Sequence, residues 1–474
     1  MRLKIIHTND VHSNFESFMR AATLIRQHTD EDTLILDGGD FADFKSIELQ
    51  GTRGMAAIEL LQSLEYDALT IGNNEMFNGM ETLEYMASSS SIPFISNNLL
   101  KKNHSHIKGV HSSIILNKKG LRILITGSSP DLQEFNDGLG IHVQHYKEQL
   151  KKELEKQRGT YDLCILLSHI GTELDTELAL EISELDLIIS AHDHQLYEQA
   201  KVVNGTIMNS AGMWAGHIGI VEVDVQADKV ELVSSETIST ETAEKDEATK
   251  IILAENKEKA IEVLSESLYS LATPLWHDVV EENPITNLIA DGLKDMLQCD
   301  IGLMNSGIVN SGLFDFVSNK KLIEICPSPL NPTTFKVKGK HIKEALQQSL
   351  DVQACLADGR GPGFRGRFVG RLHISGAEVI HDGQKLINVM ISGVPMENDY
   401  WYSVASSDYL QRGSGYESLS HNKDDVYEPE EIKDVIRVYA QRKEFIERAQ
   451  QNRWSQIRKI RKLLSPSYVC LRKR

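Results

Sequence analysis

Five short apolar runs, each stopping on a residue with an oxygen or an imidazole nitrogen to offer, constrain this chain more than any other feature. The first, LKII, leads into His7, Thr8, Asn9, Asp10 and His12. TLILD is followed by GGD, which sets Asp40 behind two glycines that let the backbone bring a carboxylate close to an ion. DALTI is followed by GNNE, with Asn73 in the same situation, while DLCILLSH ends on His169 and LDLIISAHDH on His192 and His194. One Asp or His at a strand end is ordinarily a cap or a satisfied turn residue. Five in series exceed what a core needs, and mixed carboxylate and imidazole donors suit hard or borderline divalent ions.

The runs alternate with helix-like segments at Phe15 to Gln27, Met55 to Leu64 and Met80 to Met86, so residues 1–240 read as α/β. SSIILN, LRILITG, TIMNS, IGIVEVDV and KVELV are further strand-like segments, several with connections short enough for antiparallel neighbours. Residues 241–271, rich in Glu, Lys and Ala, predict a helix joining two domains and solvated along much of its length. A second domain over 272–440 opens with NPITNLIADGLKDML, an amphipathic helix with an Asn-Pro start. It continues through IGLMN, the loop NSGIVNSG, the helix KHIKEALQQSL and the stretch GRGPGFRGRFVGR. The tail 441–474 carries eleven Lys or Arg against Glu444 and Glu447; it reads either as a basic helix that touches membranes or RNA or, the preferred reading, as a solvated extension able to dock on the acidic body.

With 474 residues the chain is long enough for two to four domains, and 41% hydrophobic with 25% charged residues is ordinary for a globular protein. A net charge of −18 argues against a nucleic-acid-binding body, so an anionic partner would have to meet local positive charge, which metal ions supply. No run of about 18 apolar residues predicts a membrane span. Cys164, Cys299, Cys326, Cys355 and Cys470 are odd in number and widely spaced, as expected of reduced thiols. With the first strand beginning at residue 3, a cytoplasmic location is expected. The oligomeric state stays open.

The series HTNDVH, GGD, GNNE, SH and AHDH resembles the calcineurin-like metallophosphoesterases, in the branch with a C-terminal 5′-nucleotidase domain, over nearly the whole chain. The resemblance implies an N-terminal four-layer αββα sandwich followed by an α+β substrate domain. It implies two divalent ions, drawn from manganese, iron, zinc or cobalt, with Asp10, His12 and His194 on the first, Asn73, His169 and His192 on the second, and Asp40 bridging. Two such ions about 3.5 to 4 Å apart lower the pKa of a shared water to roughly 7. Asn73 and Asn74 would flank the phosphoryl group. A nucleotide would be held on the second domain by Asn305 and by stacking between Phe368 and Tyr416, with closure by domain rotation. Without the family, Phe368 reads as a strand core residue and Tyr416 as a loop plug, but stacking is the preferred reading, because Phe368 lies among arginines and Tyr416 beside two glycines.

Two departures qualify the expected chemistry. The family's GNHE, with an Asp two residues on, forms a His–Asp dyad; here Asn74 and Phe77 stand at those positions. An amide donates hydrogen bonds but transfers no proton, so slower chemistry on good leaving groups is expected. The family's substrate arginines are replaced by Glu281, Glu282, Val309 and Asn310, for which Arg365, Arg367 and Arg371 either compensate or form a solvated loop. The leading expectation is a phosphoester hydrolase acting on nucleotides. The alternatives are UDP-sugar, cyclic-nucleotide or other ester hydrolysis, and a metal-dependent nucleotide binder without turnover.

Overall fold

The computed structural model describes residues 1–132, 136, 138–226, 229–361 and 363–457. They divide into two compact units, Met1–Glu266 with Ser318–Lys320, and Ser267–Val317 with Lys321 onward.

Five strands of the first unit carry the apolar runs: β1 (Arg2–Thr8), β2 (Leu34–Asp37), β3 (Ala68–Thr70), β4 (Leu163–Ser168) and β5 (Leu187–Ser190). β1, β2 and β3 are mutually parallel inside a seven-stranded sheet, with Thr8 opposite Asp37. β4 and β5 are parallel inside a six-stranded sheet, with Ser168 opposite Ser190. In each sheet the polar elbows therefore leave from one edge. That edge is the carboxyl end of the strands, where open α/β sheets gather ligands.

The alternation of side chains explains why these runs read as continuous apolar stretches rather than as half-polar strands. Leu3 and Ile5 of β1 face Ile165 and Leu167 of β4 and Ile189 of β5 in a core shared by the two sheets. Their neighbours point outward: Ile6 packs with Phe18 and Ile25 of the helix Phe15–His28. Leu166 and Ile188 pack with Leu150 and Leu178 of the helices Tyr146–Gln157 and Thr172–Glu181. Both faces of each strand are buried, so both must be apolar. The result is the four-layer αββα sandwich.

The Glu/Lys/Ala-rich segment forms the helix Glu247–Ser265, capped by Asp246, whose carboxylate accepts the Thr249 N–H. It is packed on the first unit. A side chain at Gly51 would meet the Ala260 backbone at 2.4 Å, and Asn256 Nδ2 donates to Glu59 at 2.6 Å. The change of compact unit falls at the helix's C-terminal end, between Glu266 and Ser267.

The second unit is α+β, with a five-stranded and a four-stranded sheet. Its helix Pro284–Leu297 starts as the sequence suggests, with Asn283 accepting the Thr286 N–H and proline in the first turn. Over its described part the basic tail is docked on an acidic residue of the second unit and folded against it. Lys443–Ala449 is a helix, and Trp454–Gln456 adds a parallel strand beside Val379–His381. The anchor is Asp291, only 1% exposed, which takes Arg453 Nη2 at 2.7 Å, Arg448 Nε at 3.1 Å and the Ser375 hydroxyl at 2.6 Å. Glu282 accepts the backbone N–H groups of Arg453 and Trp454. Residues 458–474, with Cys470, lie outside the described residues.

Breaking one side of a buried ion pair leaves an uncompensated charge and costs about 3–5 kcal/mol. Because Arg448 stays as a half-exposed partner, Arg453→Ala should fall near the lower figure, read as an earlier urea transition of the second unit. A shift under about 1 kcal/mol would mean that the segment is not anchored through Asp291.

Candidate metal centre

At the end of β1 the chain turns through Asp10, His12 and Ser13, all in the left-handed region (φ 50°, 49° and 55°). Asp40, His192 and His194 share that conformation (φ 54°, 87° and 59°), so five of the seven expected ligands stand on left-handed backbone. Asp and His tolerate it better than most residues, yet such strain gathers where function requires a fixed geometry.

The elbows are tied together by backbone hydrogen bonds. The Asp10 and His12 N–H groups donate to Gly39 O and Asp40 O at 3.0 and 2.8 Å, and the His192 N–H donates to the Asp10 carboxylate at 3.1 Å. Glycine is required twice: a side chain at Gly39 (φ 90°) would meet His169 Nδ1 at 2.8 Å, and one at Gly72 would meet Asp40 Oδ1 at 2.1 Å.

Two triads result. Asp10, His12 and His194 offer donor atoms to one point, and Asp10, Asp40 and His169 to another. His194 Nε2 is 3.6 Å from Asp10 Oδ1 and 3.1 Å from His12 Nε2; His169 Nε2 is 3.3 Å from Asp40 Oδ2. His192 Nδ1 lies 3.0 Å from Asn73 Oδ1, and the His169 and His192 rings are 5.2 Å apart. All seven residues thus gather in the first unit.

The donors fit a divalent cation. His169 Nδ1 donates to Gly38 O at 2.7 Å, the bond that usually orients a ligating imidazole from its far side, and its buried Nε2 has no aligned hydrogen-bond partner. Burial opposes a charge on His169, but the Asp40 and Asp10 carboxylates hold a proton on it up to about pH 10. Asp40 is kept below the usual carboxylate range against its own burial, chiefly by His169. This cluster calls for positive charge, and the oxygen and imidazole donors match the borderline ions expected from the sequence.

Three supporting residues escaped the sequence reading. Glu75 accepts the N–H groups of Asp40, Ala42 and Gly72 at 3.0, 2.9 and 2.9 Å, joining the GGD and GNNE loops; burial raises its carboxyl to about 7. Asn9 donates to Asp10 Oδ2 at 2.9 Å and Gly212 O at 2.7 Å. Asp37 accepts the Thr8 hydroxyl at 2.6 Å and the Gly39 N–H at 2.9 Å. Only Glu75 left a trace in the sequence, as an acid three residues after a glycine at a helix start.

Asn74 faces the same cluster. Its N–H donates to Asp40 Oδ1 at 2.7 Å, its amide donates to Asp40 Oδ2 at 2.7 Å, and the amide nitrogen lies 3.1 Å from His12 Nδ1. Phe77, on the same short helix Asn73–Phe77, is 37% exposed.

Behind β4 and β5, Asp175 is wholly buried. Burial raises its carboxyl to about 7 despite the Ser168 and Ser190 hydroxyls beside it. An acid whose folded value lies above its unfolded value stabilises the fold fully below the unfolded value and loses that contribution as pH rises through the folded one. Unfolding free energy should therefore fall between about pH 4 and 7, by up to about 1.4 kcal/mol per pH unit from this group. Asp175→Asn should flatten that slope in urea titrations across the range; an unchanged slope would assign it elsewhere.

The candidates in the second unit divide. Phe368 is half-buried with the Arg367 guanidinium 4.8 Å from its ring centroid, and Arg365 and Arg367 are exposed. Tyr416 and Asn305 are not open to a ligand. Tyr416 is fully buried with its hydroxyl donating to Gly370 O at 2.6 Å, which makes it the loop plug and not a stacking face. Asn305 is equally buried, its amide donating to Val369 O at 2.6 Å. Arg371 is also spoken for, over the Trp454 ring at 4.2 Å.

The family profile described as calcineurin-like phosphoesterase matches residues 3–196, and that described as 5′-nucleotidase, C-terminal domain, matches residues 263–421. The chain is 31% identical over 463 residues to the uncharacterized metallophosphoesterase YunD of Bacillus subtilis (strain 168), covering 92% of this chain and 98% of that protein. The chain belongs to the calcineurin-like metallophosphoesterases. It is 26% identical over 508 residues to the trifunctional nucleotide phosphoesterase protein YfkN of the same organism, covering 91% of this chain and 33% of that protein. Among solved structures it is similar in fold to the Haemophilus influenzae NAD nucleotidase NadN, with a TM-score of 0.63 at 16% identity, covering 96% of this chain and 97% of that one. This metallophosphoesterase is a metal-dependent phosphoester hydrolase with a 5′-nucleotidase C-terminal domain. Among the described residues, no helix is long and apolar enough to cross a membrane.

Proposed function

We propose that this hydrolase acts on nucleotides or nucleotide-like phosphates, using two divalent ions held by Asp10, His12 and His194 on one side and by Asn73, His169 and His192 on the other, with Asp40 between them. The observation that carries the reading is the meeting of seven donor residues from five strand ends in one unit. The 5′-nucleotidase C-terminal domain supports a nucleotide as substrate, as do the relatives named for nucleotide hydrolysis. Such an ion pair, when bound, supplies a nucleophile at neutral pH and neutralises phosphoryl oxygens.

The chain's own residues do the rest. Gly38 O accepts from His169 Nδ1, which would leave Nε2 as the atom to hold a cation, and Glu75 holds the two loops that present Asp40 and Asn73. Asn74 orients the Asp40 carboxylate and offers amide hydrogens, but has no proton to transfer. Leaving groups that depart without protonation, such as diphosphates and nucleotide sugars, are therefore favoured. Phe368, Arg365 and Arg367 stay as candidates for holding the nucleoside or its phosphates. Four buried thiols support a reducing, cytoplasmic setting, and manganese is the first ion to supply.

Phosphate release from nucleoside mono- and diphosphates, cyclic nucleotides and UDP-sugars, after reconstitution with manganese, tests the reading. Release from at least one nucleotide class is expected. Tight nucleotide binding by calorimetry with no product after hours would replace hydrolysis with sensing, the reading that the absent proton donor favours.

A further inference from the structure

In the seven-stranded sheet Glu75 joins the GGD and GNNE loops that carry Asp40 and Asn73. The six-stranded sheet has a joint of the same kind, and Asp193 makes it. Its Oδ2 accepts the Thr172 backbone N–H at 3.0 Å and also the Thr172 hydroxyl. Thr172 opens the helix Thr172–Glu181 shortly after His169, across Gly171, whose φ is 97°. Asp193 lies between His192 and His194, past the end of β5. One carboxylate therefore ties the loop of His169 to the loop of the other two histidines.

The first N–H groups of a helix are usually capped by the residue just before it; here the acceptor comes from 21 residues further along the chain. The ladder of β4 and β5 ends with Ser168 opposite Ser190, so His169 and His192 stand past the last paired residues. His192 and His194 are in the left-handed region, φ 87° and 59°, and such backbone persists where neighbours over-determine it. Residues 192–195 are held at one end by the His192 N–H on the Asp10 carboxylate at 3.1 Å. At the other end Gln195 O accepts the Gly212 N–H at 3.1 Å. Both bonds run toward the β1 elbow, since Asn9 Nδ2 in turn donates to Gly212 O at 2.7 Å. The bond from Asp193 runs the other way, to the β4 elbow. It bears on the spacing of the His169 and His192 rings, which lie 5.2 Å apart.

We propose that Asp193 is a positioning residue of the metal centre: it holds the His169 and His192 elbows at the separation that the ion of Asn73, His169 and His192 requires. The inference rests on the metal-centre reading above. Two ligands of that ion stand on the joined loops, whereas the ion of Asp10, His12 and His194 draws two of its ligands from the β1 elbow. A carboxylate that accepts a main-chain N–H makes a charge-assisted bond, stronger than one between neutral groups. Groups that stand behind metal ligands and orient them are typically worth 10- to 100-fold in metal affinity. Asp193 is exposed, so its effect belongs at the lower end. It acts through the histidines and takes no part in bond breaking.

The test measures manganese binding to the full chain by calorimetry, in the parent, Asp193→Ala and Asp193→Asn, and again with each change added to His192→Ala, which leaves the other ion alone. Asparagine keeps an oxygen for the Thr172 N–H. Asp193→Ala should raise one of the two manganese dissociation constants about tenfold and the other less than twofold, and asparagine should recover most of the loss. In the His192→Ala background the remaining constant should not respond to Asp193→Ala. Phosphate release should need about tenfold more manganese for half its maximum and reach a near-parent kcat at saturation. Equal weakening of both ions, with earlier thermal unfolding of the apo-protein, would make Asp193 a mere support of the fold and overturn the proposal. An asparagine variant as weak as alanine would overturn it too, by assigning the effect to charge. A parent that takes up no manganese would sink the metal-centre reading and this proposal with it. A parent with two ions and an indifferent Asp193→Ala would sink the proposal alone.

Discussion

Asp40→Asn should lower phosphate release on the order of 10³-fold and reduce bound metal below that of the parent protein. The size of the effect follows from how many partners share this carboxylate. It stands 3.3 Å from His169 Nε2 and 3.8 Å from His12 Nε2, receives two hydrogen bonds from Asn74, and is the main charge that keeps His169 protonated. The amide preserves shape but removes the charge that would bridge two cations, so the fold should survive while the centre fails. Metal analysis after dialysis and thermal unfolding of the apo-protein check the two halves. Near-parent turnover with near-parent metal content would mean that Asp40 is not the bridge.

The second large effect is a gain. Asn74→His combined with Phe77→Asp supplies an imidazole and a carboxylate where the chain has an amide and a ring. Acid–base assistance is worth about 10² to 10⁴ in rate, and an increase of about 10²-fold in kcat is expected for nucleoside monophosphates. Aryl phosphates, whose leaving groups need no proton, should gain much less. The position is suited to the change, because Asn74 already points its amide at Asp40 and His12, and Phe77 follows on the same short helix with a partly open side chain. Equal gains on both ester types, or none, would show that proton supply does not limit this enzyme. If the new imidazole were instead drawn onto the metal, giving up the contacts that Asn74 makes, metal content would change, which the same metal analysis reads.

The metal centre was legible because its signals are local. Each ligand follows a strand that is buried on both faces, so an abrupt change from apolar to polar marks the sheet edge without knowledge of the partners. The support for those ligands was not legible. Glu75 reaches the Asp40 and Ala42 N–H groups across more than thirty residues, and nothing in GNNE distinguishes that acid from a helix cap. The left-handed conformations at Asp10, Asp40, His192 and His194 are likewise outcomes of the loops closing on one another.

The second unit was harder to read for the same reason. The GSGYESL segment announces a loop with an aromatic, but whether the ring faces a ligand or the core depends on Gly370, forty-six residues away, which takes the Tyr416 hydroxyl. Charge composition made residues 441–457 look solvated. The acid that anchors them is Asp291, buried on a helix 162 residues earlier than Arg453, and a run of basic residues does not say which acid it meets.

The most direct measurement is phosphate release from one nucleotide by chelator-stripped protein, before and after manganese is returned, in the parent and in His169→Ala. Release that is absent after stripping, restored by manganese and lost in the variant is the result expected of a metal-dependent hydrolase built on these strand ends. Release that survives stripping, or that persists in His169→Ala with metal uptake unchanged, would contradict it.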